Sequence, residues 1–167
     1  MIGYITTKEQ GATDLLIETV AVRFRNAGVA LAGAVQRNHG FQGSQRSKMV
    51  LDVLGTNQSV TISQDLGAHA AGCRLDTDAL ETAAQMVWAS LDQPKDLLLL
   101  NKFGKQERDG QGFRDVLVKA LDNDIPVLLG VNSTLEKAFQ DFAGDFALKL
   151  EPSHESIEHW FKSLKQG

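Results

Sequence analysis

Apolar runs of strand length alternate with segments of helical period along most of this chain, and that alternation restricts the fold more than any other feature. The strand-like runs lie near 2–6, 29–36, 96–100, 126–131 and 145–150. Between them, residues 12–27 put Leu16, Val20, Phe24 and Ala27 on one face and stop at Gly28, a residue suited to the left-handed position after a helix. Residues 77–91 carry Leu80, Ala83, Ala84, Val87 and Leu91 as one stripe, and 113–122 carry Phe113, Val116, Leu117, Ala120 and Leu121 at the same spacing. Asn123 and Pro126 end that helix, and a further one opens after Ser133, whose relation to Glu136 has capping-box spacing. Strands joined through helices form a parallel sheet, and the crossovers must cover both of its faces. The expectation is a three-layer α/β fold with a mostly parallel sheet. One interruption is expected: Met49–Leu54, the turn Gly55–Gln58 and Ser59–Ser63 read as a β-hairpin inserted where a crossover helix would stand, antiparallel to its neighbours at one edge.

No linker, repeat or low-complexity stretch divides the sequence, so a single domain over 1–167 is expected. The 167 residues carry 17 Lys and Arg against 21 Asp and Glu, a net charge of −4, which excludes a generally basic nucleic-acid binder. Hydrophobic residues at 43% and charged residues at 23% exclude a disordered or collagen-like chain. No apolar run approaches the length of a membrane span, and Met1–Ile5 enters strand-like sequence without a basic or apolar leader. With Cys73 as the one cysteine, no intrachain disulfide can form. The expectation is a cytoplasmic chain with no membrane span and no nucleic-acid partner.

In an open α/β sheet, ligands bind at the carboxyl ends of the strands, so the loops that follow them are the first candidates. After the first strand, Thr6–Thr13 leads into a helix with the position and length of a phosphate-binding loop. Of the pattern G-x-x-x-x-G-K-[ST] it keeps Gly11 and Thr13; Thr6 stands for the first Gly and Ala12 for the Lys that reaches the β- and γ-phosphates. Helix-end amides there still attract an anion, although a plain strand-to-helix turn would read the same way. After Leu97–Leu100 come Asn101 and Lys102, where phosphate-loop hydrolases place acids that hold Mg²⁺ and orient water. An amide and an ammonium in place of two carboxylates favour an anion over a cation, with Lys105 close by.

A charge asymmetry adds to this. No acid occurs between Thr19 and Leu51, where Arg23, Arg25, Arg37, Arg46 and Lys48 stand. Arg23 and Arg25 read as the solvated end of the first helix, which leaves Arg37 and Arg46 as candidate ligand contacts beside the polar loop His39–Ser47. The long segment Ser63–Leu75 brings together Asp65, His69, Cys73 and Arg74. One Cys with one His is too few for structural zinc, and no metal site is expected. Cys73 reads either as a small buried apolar residue or as a thiolate activated by Arg74. His154 and Glu158, beside Glu151, Glu155 and His159, read as a solvated acidic face of the last helix.

Three strings are specific: Gly28–Arg37; Ile62–Gly67 with Gly72–Asp76; and Leu99–Glu107. On these, residues 2 to about 150 resemble a bacterial family related to the thermophile-type nucleoside-triphosphatases of the phosphate-loop superfamily. The first and third strings sit where those enzymes have their second strand and their acid-bearing strand. The resemblance implies a phosphate-loop type of sheet. Relatives encoded beside molybdate-uptake and molybdenum-enzyme genes imply a role in molybdenum supply. Three readings of function follow. In the first, Gly11, Thr13, Arg37, Arg46, Cys73, Arg74, Lys102 and Lys105 gather round a small anion, molybdate or a phosphorylated ligand such as a nucleotide, without hydrolysis. In the second, the chain hydrolyses nucleoside triphosphates, with Thr13, Asp14, Asp65 and Glu107 as the groups left to hold Mg²⁺ and water. In the third, it is an interaction module whose partners are molybdenum-enzyme or molybdate-transport components.

Overall fold

The computed structural model describes residues 1–9, 11–38, 48–64 and 75–165. Among these, seven strands form one sheet. In chain order they are β1 (Ile2–Ile5), β2 (Leu31–Asn38), β3 (Met49–Val53), β4 (Gln58–Thr61), β5 (Leu97–Phe103), β6 (Val127–Val131) and β7 (Ala147–Lys149). The helices are α1 (Ala12–Asn26), α2 (Thr77–Ser90), α3 (Lys105–Arg108), α4 (Arg114–Asp122), α5 (Glu136–Ala143) and α6 (His154–Leu164). The sheet order is β4-β3-β2-β5-β6-β1-β7; β2, β5, β6, β1 and β7 run parallel, β3 pairs antiparallel with β2, and β4 pairs antiparallel with β3. The mostly parallel α/β architecture and the edge hairpin are those the sequence predicts.

Alternation along β5 shows why the apolar run is unbroken. Leu98 and Leu100 face a core built with Val87 of α2, Leu117 of α4 and Phe139 of α5. Leu97 and Leu99 face the opposite core, with Ile17 and Phe24 of α1 and Trp160 and Phe161 of α6. A central parallel strand covered on both sides needs apolar residues at every position. Among the described residues, no helix is long and apolar enough to cross a membrane.

The structure corrects four local expectations. First, β5 continues through Asn101 and Lys102 to Phe103, with an irregularity in its register to β6, so both polar residues lie within the strand's last turns. Second, a short helix, α3, follows it where a loop was expected. Third, the region 145–150 contributes only three residues of strand, because Gly144–Phe146 form a 3₁₀ turn first. Fourth, Ser133 and Glu136 form no capping box. Asn132 caps a 3₁₀ turn over Ser133–Leu135 by accepting from the Thr134 amide, and the Glu136 carboxylate is drawn instead to the Tyr4 hydroxyl and to Lys149. A partner supplied by the neighbouring strands outcompetes the local cap.

Candidate functional site

Parallel β1, β2, β5 and β6 bring their carboxyl ends to one side of the sheet, and α1 starts there. Gly11 precedes α1 with φ of 81°, a left-handed conformation in which a Cβ would be strained. The helix ladder opens with the Leu15 amide donating to Gly11, so the preceding amides form the positive pole of a 15-residue helix. The turn is closed by hydroxyls. Thr7 donates to the Glu9 carbonyl, which commits its one proton, so Thr13 Oγ1, 2.8 Å away, is the donor between the two. Thr6 Oγ1 is sealed from solvent and has no hydrogen-bond partner among the described residues.

Asn101 ties three elements together. Only 5% exposed, its Oδ1 accepts from the Gln36 amide of β2 at 2.6 Å, and its Nδ2 donates to Asp14 Oδ1 of α1 at 3.0 Å. Those partners assign the amide's orientation, since the oxygen must face the N–H and the nitrogen the carboxylate. Gly130 of β6 lets this approach happen. A Cβ there would run into the Asn101 carbonyl oxygen and Thr13 Cγ2. Lys102 points the other way, 47% exposed, with Nζ 3.8 Å from Asp14 Oδ2. That distance is an ion pair and too long for a hydrogen bond.

Of the sequence candidates, the structure therefore brings Gly11, Thr13 and Lys102 to one turn and adds Asp14, Asn101 and Thr6. Arg37 is engaged by the Asp52 carboxylate of β3. Lys105 is exposed at the start of α3. Arg46, Cys73, Arg74, Asp65 and His69 lie outside the described residues. Arg23, exposed, pairs with Glu158 of α6, so that part of the acidic face serves to join α6 to α1.

Glu107 holds a different post from the one a hydrolase would require. It is 4% exposed; Oε2 accepts from the Gly104 amide at 2.9 Å and Oε1 from Phe113 at 3.1 Å, so the carboxylate clamps the turn from β5 to α4. Burial raises its pKa above the ordinary carboxylate range. Nearby, Asp78, Glu81 and Asp115 line a cavity with no cation among its described lining residues. Among the described residues, no group of three or more His, Cys, Asp or Glu could hold a metal ion.

The sequence profile of a family described as protein of unknown function, DUF2478, matches residues 2–160. The chain belongs to that family. A similar segment occurs in a protein of Bradyrhizobium diazoefficiens named molybdenum import ATP-binding protein ModC 2, 33% identical over 162 residues; the match takes in 96% of this chain but 18% of that protein. The DUF2478 chain thus spans less than a fifth of that relative. Among solved structures, THEP1 from the hyperthermophile Aquifex aeolicus superposes with a TM-score of 0.62 at 13% identity, covering 98% of this chain and 96% of that one. This establishes a THEP1-like phosphate-loop fold.

Sequence reasoning offered Asp14 as a candidate Mg²⁺ or water ligand and missed its partner. Asp14 adjoins Thr13 in the chain, but its partner Asn101 is 87 residues away. Nothing in local pattern foretells that pairing.

Proposed function

We propose that this DUF2478 chain binds an oxyanion or a phosphate-bearing ligand on a phosphate-loop scaffold without the hydrolytic residues, in the service of molybdenum supply. The observation that carries the reading is Lys102: a half-exposed ammonium at the end of β5, beside the positive pole of α1 and held to Asp14 by an ion pair too long to be a hydrogen bond. A loosely held ammonium with a helix N-terminus favours an anion at little cost of reorganisation. Ala12 offers no phosphate-bridging ammonium. Asn101 is spent on Gln36 and Asp14, and Glu107 on its turn, which leaves the usual Mg²⁺ and water-orienting acids unfilled. The molybdenum assignment rests on the 33% identity to a segment of a molybdenum import ATP-binding protein. Since that segment is a small part of a longer chain, molybdate-transport components are the partners this reading names.

Calorimetry with molybdate, tungstate, sulfate and phosphate tests it. Lys102→Ala is expected to weaken binding about ten- to a hundredfold, the worth of one charge-assisted contact. Phosphate release from ATP or GTP with Mg²⁺ is expected to stay at background, and turnover near ~1 s⁻¹, the low end for phosphoryl transfer, would overturn the non-hydrolytic reading. Binding of none of these ligands would leave the interaction module, which the embedding of the segment in a longer relative favours.

A further inference from the structure

The sheet ends in two edges of different character. β4 exposes Gln58, Ser59 and Thr61, a polar edge that water satisfies. β7, whose one strand neighbour among the described residues is β1, carries Leu148 at 48% exposure, with Phe146 at 61% just before it. A lysine often guards such an edge, but the Lys149 ammonium is drawn to Glu136 of the same chain at 2.7 Å. An edge strand that shows apolar side chains is a template for another strand.

The backbone fixes the register of what can add there. Ala147 and Lys149 lie opposite Ile2 and Tyr4, and the Leu150 amide donates to the Tyr4 carbonyl at 2.8 Å. Alternate residues of a parallel ladder turn their bonding groups the same way, so Leu148 and Leu150 face β1 while Ala147 and Lys149 face the open edge. The Ala147 amide is spent on the Gly144 carbonyl of the preceding turn. That leaves the Lys149 amide as the outward donor of β7, with the Ala147 carbonyl as an acceptor two residues away. A donor and an acceptor so spaced match the same two groups on a second β7 run in the opposite direction, about a two-fold axis at Leu148. We propose that two copies of this chain pair in that way, their seven-stranded sheets continuing through β7 into one. The two Lys149 amides donate to the two Ala147 carbonyls. The Leu148 side chains meet as a directly opposed, non-hydrogen-bonded pair, and each Lys149 stands diagonal to the partner's Asp145, a charge of opposite sign. This closed two-fold covers both β7 edges, whereas β7 against β4 would propagate as a filament. The pairing is independent of the anion-binding reading, because it uses another edge of the molecule.

Sedimentation velocity of the whole chain over about 1–500 µM tests it, since a three-residue strand supports a small, reversible interface. The wild type is expected to pass from monomer to dimer within that range. Leu148→Lys, a change at an exposed position, is expected to weaken dimerisation by about tenfold or more with an unchanged urea midpoint. The Lys149 amide, fast to exchange in dilute solution, is expected to slow as the dimer forms, while β4 amides keep their rates. Cross-linking reads the register, with the one cysteine of the chain removed by Cys73→Ser. Leu148→Cys, whose opposed Cα atoms stand about 4.5 Å apart, is expected to form an intermolecular disulfide on mild oxidation; Lys149→Cys, diagonal and beyond ~7 Å, is not. A monomer at every concentration, or a dimer indifferent to Leu148→Lys, overturns the inference. Equal cross-linking at both positions removes the two-fold at Leu148 and the inference with it.

Discussion

Asn101 is a residue whose type is set by two partners at once. The Gln36 amide needs an acceptor and the Asp14 carboxylate needs a donor, and a side-chain amide offers both on one planar group. Asn101→Asp, which would reinstate the acid of a hydrolase, removes the donor and places a second carboxylate against Asp14. It is expected to cost about 2–4 kcal/mol in urea unfolding and to bring no hydrolysis, since Ala12 is unchanged. Gly130→Ala is expected to be at least as damaging by the same measurement, about 3 kcal/mol or more, because the added methyl meets the Asn101 carbonyl, a backbone atom that cannot step aside. The sequence showed Asn101 and Lys102 at the end of an apolar run and supported reading both as a departure from a cation site. It could not separate them: one is buried and ties β2 to α1, the other is half-exposed and held only by the long ion pair to Asp14. That distinction depends on which way each side chain points at an irregular strand end.

At the scale of elements, the connection from β5 to α4 is organised by Glu107. Its carboxylate, bound to the Gly104 and Phe113 amides, has its pKa raised from an ordinary value of 4.5, burial being the largest cause and the Glu81 charge adding to it. A raised acid binds its proton more tightly in the folded chain than in the unfolded one. Its contribution is therefore fully present below pH 4.5 and is lost as pH rises through the higher folded value. Unfolding free energy measured across that window is expected to carry a downward component with rising pH in the wild type, and Glu107→Gln is expected to abolish that component. Glu107→Ala, which leaves two buried amides without acceptors, is expected to cost about 2–4 kcal/mol at neutral pH. The helices and strands themselves were legible, since each announces itself by period. The cap of α5 was not: Glu136 has a suitable neighbour in Ser133, but Tyr4 and Lys149, distant in sequence, compete for it and win.

On the scale of the whole molecule, stability is layered from the centre outward. Leu97–Leu100 and Val127–Leu129 are buried on both faces of the sheet, whereas β4 and β7 are edges with one hydrogen-bonded neighbour each. Native-state hydrogen exchange is expected to find the slowest amides in β5 and β6, opening only with global unfolding. The fastest sheet amides are expected in β4 and β7, which can open locally. Uniform protection across the sheet would contradict this layering.

Local pattern alone determined the alternation of strands and helices, the edge hairpin and the mostly parallel sheet, because burial on one or two faces imprints a period on neighbouring residues. A turn of phosphate-loop length before α1 was visible too, as was Ala12 at the position of that loop's phosphate-bridging lysine. Tertiary structure alone decided how the charges pair. Lys102 with Asp14, Arg37 with Asp52 and Asn101 between β2 and α1 join residues far apart in the chain, and each pairing changes what the partner can offer a ligand. Periodicity reports which side of an element faces the core. The sign of the field at a site depends on which charged groups the fold sets within a few ångströms of each other, and no local pattern encodes that distance.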